Sequence, residues 1–570
     1  MVKKYGLLSW AVSFIVLACH PKPQAELIIH NAQVITLDEA LPTARAVAIS
    51  RGRILAVGAD SVVMRQRGAR TRVIDAGGRM VMPGFIEGHA HFMGLGQSLV
   101  TLDLRDATDW RDIVQRVANA AARADSGAWI IGRGWHQEKW RRPLTPHVQG
   151  YPLHNDLSAV SPDNPVLLSH ASGHGLMANA RAMAAAGITA DTPTPQGGVI
   201  LRDAHGAATG VFLENAETLI YDAYHRYQQQ QNPGQRHKNL MKQLTAATRH
   251  CLENGVTTFH DAGASYNTID FYKKALAADS LHTRLYVMVA PDEKLDVAHF
   301  KKYKLIDGYD GMLTVRAVKQ YADGALGSRG AWMLAPYSDQ PGSVGQNVTP
   351  MDSIARVARA ALEAGFQLCT HAIGDRANRE VLNVYEQALH GATDRRWRVE
   401  HAQHIDPADQ PRFARLGVIA SMQTVHCTSD GAWVPQRIGM DRARKGAYVW
   451  RNLLNSGTRL ANGTDAPVER LAPIENFYAA VTRRLHNGQV FFGEQKLTRM
   501  EALQSLTIWN AYAGFQEKEL GSLTPGKRAD MIVLSQNLLT VPENLIQKTK
   551  VLLTVLDGKV MYDHLKKGDE

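Results

Sequence analysis

Two histidines one residue apart, His89 and His91 in GFIEGHAH, are the first point in this 570-residue chain where residue type and spacing suggest chemistry. In a β-strand, residues i and i+2 share a face, so both imidazoles could reach one ion. An H-x-H pair alone is weak evidence. Further along, four more polar residues close short apolar runs: Lys319 in TVRAVKQYADG, His371 in FQLCTH, His401 in RWRVEH and Asp465 in RLANGTD. Imidazoles with a carboxylate form a donor set for a divalent transition metal, and such ions serve hydrolysis. The lysine is the anomaly. Val315, Ala317 and Lys319 fall on one face of an otherwise apolar run, and a buried ammonium is costly unless paired or chemically changed.

These residues need a scaffold that brings strand ends together. GVTTFHDAG, TRLYVMVA, LTVRAVKQYADG, FQLCTHAIGD, RWRVEHAQH, GVIASMQTVH and TRLANGTDAP read as strands, with helical stretches such as DSIARVARAALEAG between several of them. In that helix Ile354, Val357 and Ala361 form the apolar stripe and Gly365 the stop. MVMPGFIEGHAHF brings the strand count to eight, as in a (β/α)8 barrel. A doubly wound sheet satisfies the same alternation. The polar strand ends decide for the barrel, where they converge on one face. The alternating runs at both chain ends, including an Asp-Gly hairpin signal near residue 557, suggest one small sheet domain built from the two termini. A long segment with its own strand signals follows the first barrel strand.

The expected architecture is therefore α/β: a (β/α)8 TIM barrel over 83–518, a composite β-sandwich from 26–82 and 519–566, and an inserted subdomain at about 92–245. Residues 1–19 read as an export signal, with Lys3 and Lys4 before an apolar run too short for a comfortable span. The VLAC end resembles a bacterial lipobox. It implies lipidation of Cys19 and, because His20 rather than an aspartate follows, an outer-membrane lipid anchor facing periplasm or cell surface. Cys251, Cys369 and Cys427 form no disulfide framework and read as packing residues. The net charge of +10 is spread along the chain without a nucleic-acid motif, so a solvated basic surface is expected and no nucleic-acid partner.

The ordered set His89-x-His91, Lys319, His371, His401, Asp465 resembles the metal-binding pattern of the amidohydrolase superfamily. The blocks MPGFIEGHAH, SHASGHGLMANARAM, YADGALGSRGAW, HAIGDRAN, VEHAQHI, NGTDAPVE and GSLTPGKRADMIVL resemble the branch that contains the N-substituted formamide deformylases. The resemblance implies two zinc ions bridged by a carboxylated Lys319, with His89, His91 and Asp465 on one ion and His371 and His401 on the other. An unmodified Lys319 paired with an acid such as Asp323 is the plain alternative. The resemblance further implies a hydrolase cleaving a C–N bond of an N-acyl or N-formyl small molecule through a metal-activated hydroxide, with Asp465 as general base and then acid. His174, His426, Trp135 and Arg329 match blocks that line the family's pocket and are expected to bind substrate. His136 and Thr424 depart from the branch, which leaves the outer pocket undefined. Esterase, lactonase, cyclic amidase or deaminase chemistry would use the same site. A non-catalytic binding protein would have lost ligands, and none is missing here. A homodimer stays open.

Overall fold

The computed structural model describes residues 24–142 and 144–565; the leader and Cys19 lie outside the described residues. Eight strands form the centre: β1 (Phe85–Ala90), β2 (Val256–Ala264), β3 (Arg284–Val289), β4 (Leu313–Tyr321), β5 (Gln367–Ala372), β6 (Arg398–His401), β7 (Ile419–Met422) and β8 (Leu460–Asn462). Each pairs in parallel with the next in chain order. A doubly wound sheet would instead reverse its strand order partway, so this is the (β/α)8 arrangement. Helices cover the outside. In helix Met351–Ala364, Ile354, Ala358 and Ala361 are buried and Gly365 ends the helix at φ 67°. Val357 lies at the flank of that stripe, half-buried, because positions 354, 358 and 361 follow the helical period.

Among the described residues no ladder joins β8 to β1. A side chain bridges the seam instead. The amide of Asn510, fully buried, donates to Ile86 O at 2.6 Å and to Asn462 O at 2.7 Å, and accepts from Asn462 N at 3.0 Å. The approach is close enough to require glycine at 88, where a Cβ would stand 2.6 Å from both Asn462 O and Asn510 Oδ1.

The strand Met80–Pro83 leads directly into β1 and pairs antiparallel with Met531–Leu534 from the other end of the chain. Their six-stranded sheet faces a four-stranded one, with Leu27, Val47, Val81, Val533 and Leu553 in the shared core. The expected hairpin is present: Asp557 (φ 46°) and Gly558 (φ 74°) connect Val551–Leu556 to Lys559–Asp563. Arg284, at the start of β3, docks this sandwich on the barrel through Asp530 (3.1 Å) and Asp557 (3.0 Å). Between β1 and β2 a separate six-stranded sheet spans Leu102–Asp103 to Ala208–Glu214. Helices Phe92–Val100 and Pro233–Glu253 pack on each other before β2 begins. Cys251, Cys369 and Cys427 are buried free thiols.

Asn510→Ala would strand two carbonyls and an amide at the seam. The expected loss is roughly 3 kcal/mol, read as a lower thermal midpoint with retained secondary structure. An unchanged midpoint would show that the seam does not need the bridge.

Candidate metal centre

The polar strand ends meet at the C-terminal mouth of the barrel. His89 lies in β1, and His91 caps the helix that follows. Backbone bonds lace the loop after β8 to these residues: Asp465 N donates to His89 O (2.7 Å) and His91 N to Ala466 O (2.8 Å). Asp465 adopts a left-handed φ of 57°, and its Oδ1 reaches to 3.2 Å from His91 Nε2 and 3.6 Å from His89 Nε2. His401 ends β6 at φ 71°, its ring centroid 4.9 Å from that of His89 and 4.5 Å from that of His371. Left-handed non-glycine residues are strained, and two of them are site residues here. Lys319 Nζ lies 3.4 Å from His89 Nε2. All six residues singled out by spacing thus converge. Ligand atoms of His89, His401 and Asp465 lie within 4.8 Å of one another. That tightest group draws His401 from across the barrel in place of His91, which sits beyond the end of β1.

The imidazoles are oriented from behind. His89 Nδ1 bonds Glu400 Oε2 at 2.5 Å, and His401 Nδ1 bonds Gln423 Oε1 at 2.7 Å, which turns each Nε2 toward the site. Glu400 is itself held by Arg398, whose Nε lies 2.7 Å from Oε1 and which also reaches Gly88 O, Ser421 and His260. Asp323 does not pair with Lys319. It accepts from the backbone amides of Trp332, Ile373 and Gly374 and stands 3.4 Å from His371 Nε2.

Burial pushes His89 and His371 down to about 4 and His401 well below the usual imidazole range, so all three are neutral donors. Burial also lowers Lys319, which is 1% exposed. Burial opposes ionisation of Asp465 and Glu400, but His91 and the other imidazoles outweigh it at Asp465, and Arg398 with His89 does so at Glu400. Both carboxyls stay well below their usual range. Asp465 Oδ1 and His371 Nε2 are buried without a hydrogen-bond partner among the described residues. Neutral imidazoles, an ionised carboxylate and orphaned donor atoms aimed at one point fit a divalent cation.

A cleft opens over these residues. His174 lines it, its Nδ1 bonded to Glu214 Oε2 at 2.8 Å and its ring 5.4 Å from that of His371. Burial disfavours the His174 cation, yet Glu214 outweighs it and raises the group to about 9. Glu214, at φ 50°, also accepts from Ser328 at 2.9 Å and presses on the loop after β4, where a Cβ on Gly324 or Gly330 would stand 2.5 Å from its Oε1. His426 lines the cleft parallel to His401, its Nε2 buried and unpartnered. Two expected pocket residues are elsewhere. Trp135 is fully buried in the core of the inserted sheet, with Nε1 bonded to Leu168 O, because a register shift after Arg133, with Gly134 at φ 107°, turns it off the face that Arg133 occupies, while His136 takes the lining position. Arg329 points to Asp339, paired at 2.9 Å, away from the cleft.

Glu400, Asp323, Gln423 and Glu214 escaped the sequence reading. Glu400 had a signal: it precedes His401 and shares strand parity with Arg398, a charged pair inside an apolar run. Asp323 enters the sequence reading only as an alternative partner for an unmodified Lys319, and nothing local marks it as a backbone cap. Glu214 lies over a hundred residues from its partners in the β4 loop, and its spacing gives no hint of them.

Comparison with known proteins places this geometry. A family model described as "Amidohydrolase family" matches residues 72–562. Protein LONG AFTER FAR-RED 3 of Arabidopsis thaliana is 32% identical over 553 residues, covering 94% of this chain and 92% of that protein. An N-substituted formamide deformylase of Arthrobacter pascens is 27% identical over 551 residues, covering 94% and 98%. A solved structure described as an uncharacterized metal-dependent hydrolase from Pyrococcus horikoshii OT3 superposes with TM-score 0.72 at 25% identity, covering 91% of this chain and 99% of that one.

Glu400→Gln keeps the shape but loses the charge that orients His89. Zinc affinity should fall by about 10- to 100-fold in a chelator competition, with the fold intact by circular dichroism; unchanged affinity would remove Glu400 from the site. The raised His174 pKa has a signed consequence. Its contribution to stability is complete below the unfolded value of 6.5 and is lost as pH rises through about 9. In histidine-labelled protein its resonance should titrate near the latter value, and Glu214→Gln should move it down. A His174 that titrates like free imidazole would contradict the pairing.

Proposed function

Because the chain belongs to the amidohydrolase family, we propose that it is a two-metal hydrolase of an amide-like C–N bond in a small N-acyl or N-formyl compound. The observation that carries this reading is the convergence of His89, His91, Lys319, His371, His401 and Asp465 around buried donor atoms that lack protein partners. Those six residues would hold the ions. Zinc suits the imidazole and carboxylate donors, and divalent ions there would supply Lewis acidity toward a carbonyl oxygen and lower the pKa of water.

The chain's own residues do the rest. Burial favours the neutral amine of Lys319, the form that adds carbon dioxide. Its nitrogen forms the N–C bond, one N–H proton leaves to solvent, and the resulting carbamate is an anion able to link two cations. The Asp465 carboxylate, kept ionised by the imidazoles beside it, accepts the proton of the attacking water and delivers it to the departing amine, which leaves poorly unless protonated. His174, cationic and fixed by Glu214, offers its other nitrogen to the developing oxyanion.

The purified protein should hold about two equivalents of transition metal. Asp465→Asn should keep metal and lose turnover. Lys319→Ala should lose metal or activity, with partial rescue by short-chain carboxylic acids. An Asp465→Asn enzyme with full kcat, or a protein that takes up no metal on reconstitution, would overturn the reading.

A further inference from the structure

The cleft has two lobes of unequal size that meet at the ligand set. One, with about 590 Å³ of empty space, has apolar wall segments from Leu326, Ile373, Trp433 and Val468, with Lys139, Asp430 and Glu469 also in its lining. The other, with about 1470 Å³, runs beneath the inserted sheet and is lined by Arg133, Glu217, Tyr221 and Lys319 together with Pro291, Val348 and Pro467. Arg133 comes from the inserted strand Ile130–Trp135. Its Nε donates to Pro467 O at 3.3 Å and one terminal nitrogen donates to Ala171 O at 3.2 Å. Pro467 lies two residues past Asp465, so the guanidinium is fixed relative to the ligand set.

Two backbone carbonyls do not neutralise a guanidinium. Among the described residues no carboxylate oxygen lies within 4.0 Å of Arg133, and its second terminal nitrogen has no acceptor. Arg133 is half-buried in the wall of this lobe, and desolvation there pulls its pKa down against the weaker pull of Tyr221, Asp465 and Glu217. Three of the nearby acids are engaged otherwise, and the exposed Asp292, also in this lobe, makes no ion pair with Arg133. Glu214 holds His174 and Ser328, Asp323 caps three backbone amides, and Asp465 faces the imidazoles. Glu217 lines the same lobe, but no oxygen of its carboxyl comes within 4.0 Å of the guanidinium, and burial pushes its pKa well above the carboxylate range.

We propose that Arg133 docks an anionic group of the substrate, so that the compound cleaved carries an apolar group on one side of the scissile bond and a carboxylate on the other. Free guanidinium N–H groups suit a carboxylate, and the bond is charge-assisted. The apolar half lies in the lobe walled by Trp433. This substrate class rests on the amide-hydrolase reading above.

The test uses the metal-loaded, full-length protein and matched pairs: N-acylglycines, from acetyl to benzoyl, against the corresponding neutral N-acylglycinamides. Wild type should favour the carboxylate member by about tenfold or more in kcat/KM, the size of a charge-assisted hydrogen bond, mainly through KM. In Arg133→Met that ratio should collapse toward one, and Arg133→Lys should restore part of it. Equal rates for both members in wild type, or an unchanged ratio in Arg133→Met, would overturn the assignment and leave Arg133 a strut between two loops. If no amide of either kind is cleaved, the hydrolase reading fails separately. Calorimetric binding of benzoylglycine and benzoylglycinamide to wild type and Arg133→Met then decides Arg133 alone: preference for the acid that the variant loses supports it, and equal binding refutes it.

Discussion

A carboxylate with no access to water, Glu400, organises the interior of this barrel. It receives Arg398 on one side and His89 on the other. The pair keeps both charges solvated by protein alone, and it settles which nitrogen of His89 faces the site. A buried ion pair is not cheap stability, since the desolvation of both partners rivals their attraction. Its use here is geometric. Arg398 also ties Gly88 O, Ser421 and His260, so β1, β2, β6 and β7 share one polar layer beneath the ligand set. Glu87 adds to that layer, accepting from His89 N and from both donors of Thr464, and burial raises it to about 7. Many barrels fill this level with aliphatic side chains; this one fills it with groups that must all be satisfied together.

The same requirement explains what was legible in the sequence and what was not. The eight strands could be read because period-2 patterning and polar C-terminal residues are local signals, and Lys319, His371 and His401 announce strand ends by breaking apolar runs. Glu400 was hidden by the rule that made its neighbour visible. Strict alternation sends residues 400 and 401 to opposite faces, yet both touch His89. The left-handed backbone at His401 breaks the alternation, and no composition signal marks such a residue when it is not glycine. Asn510 was invisible for another reason. It sits in a helix of ordinary composition, and the carbonyls it joins lie 48 and 424 residues away along the chain.

Trp135 and Arg329 show the limit of block matching. Both lie in segments that approach the cleft, and each block does supply a wall, but through other residues: His136 beside Trp135, and Leu326 and Gly327 before Arg329. A matched block locates a loop. Which side chain of that loop faces inward depends on register shifts such as the one after Arg133 and on ion pairs such as Arg329 with Asp339, and these are tertiary facts.

The inserted sheet divides the work of the molecule. The barrel supplies every metal-ligand candidate, whereas the insertion supplies His174, Glu214 and Arg133. It is not a loose cover. Arg133 grips Pro467 beyond β8, and Glu214 is wedged, at a strained φ, against glycines and Ser328 beyond β4. These anchors stand on different sides of the mouth, so the insertion is braced across the cleft. In the proposed reaction a braced wall would hold its polar groups in place without reorganising around each substrate, and electrostatic stabilisation is most effective under that condition. Ion pairs of Glu138 with Arg437 and of Asp106 with Arg470 add to these anchors, and none of them touches the layer built on Glu400, so side chains of the insertion can vary without disturbing that layer.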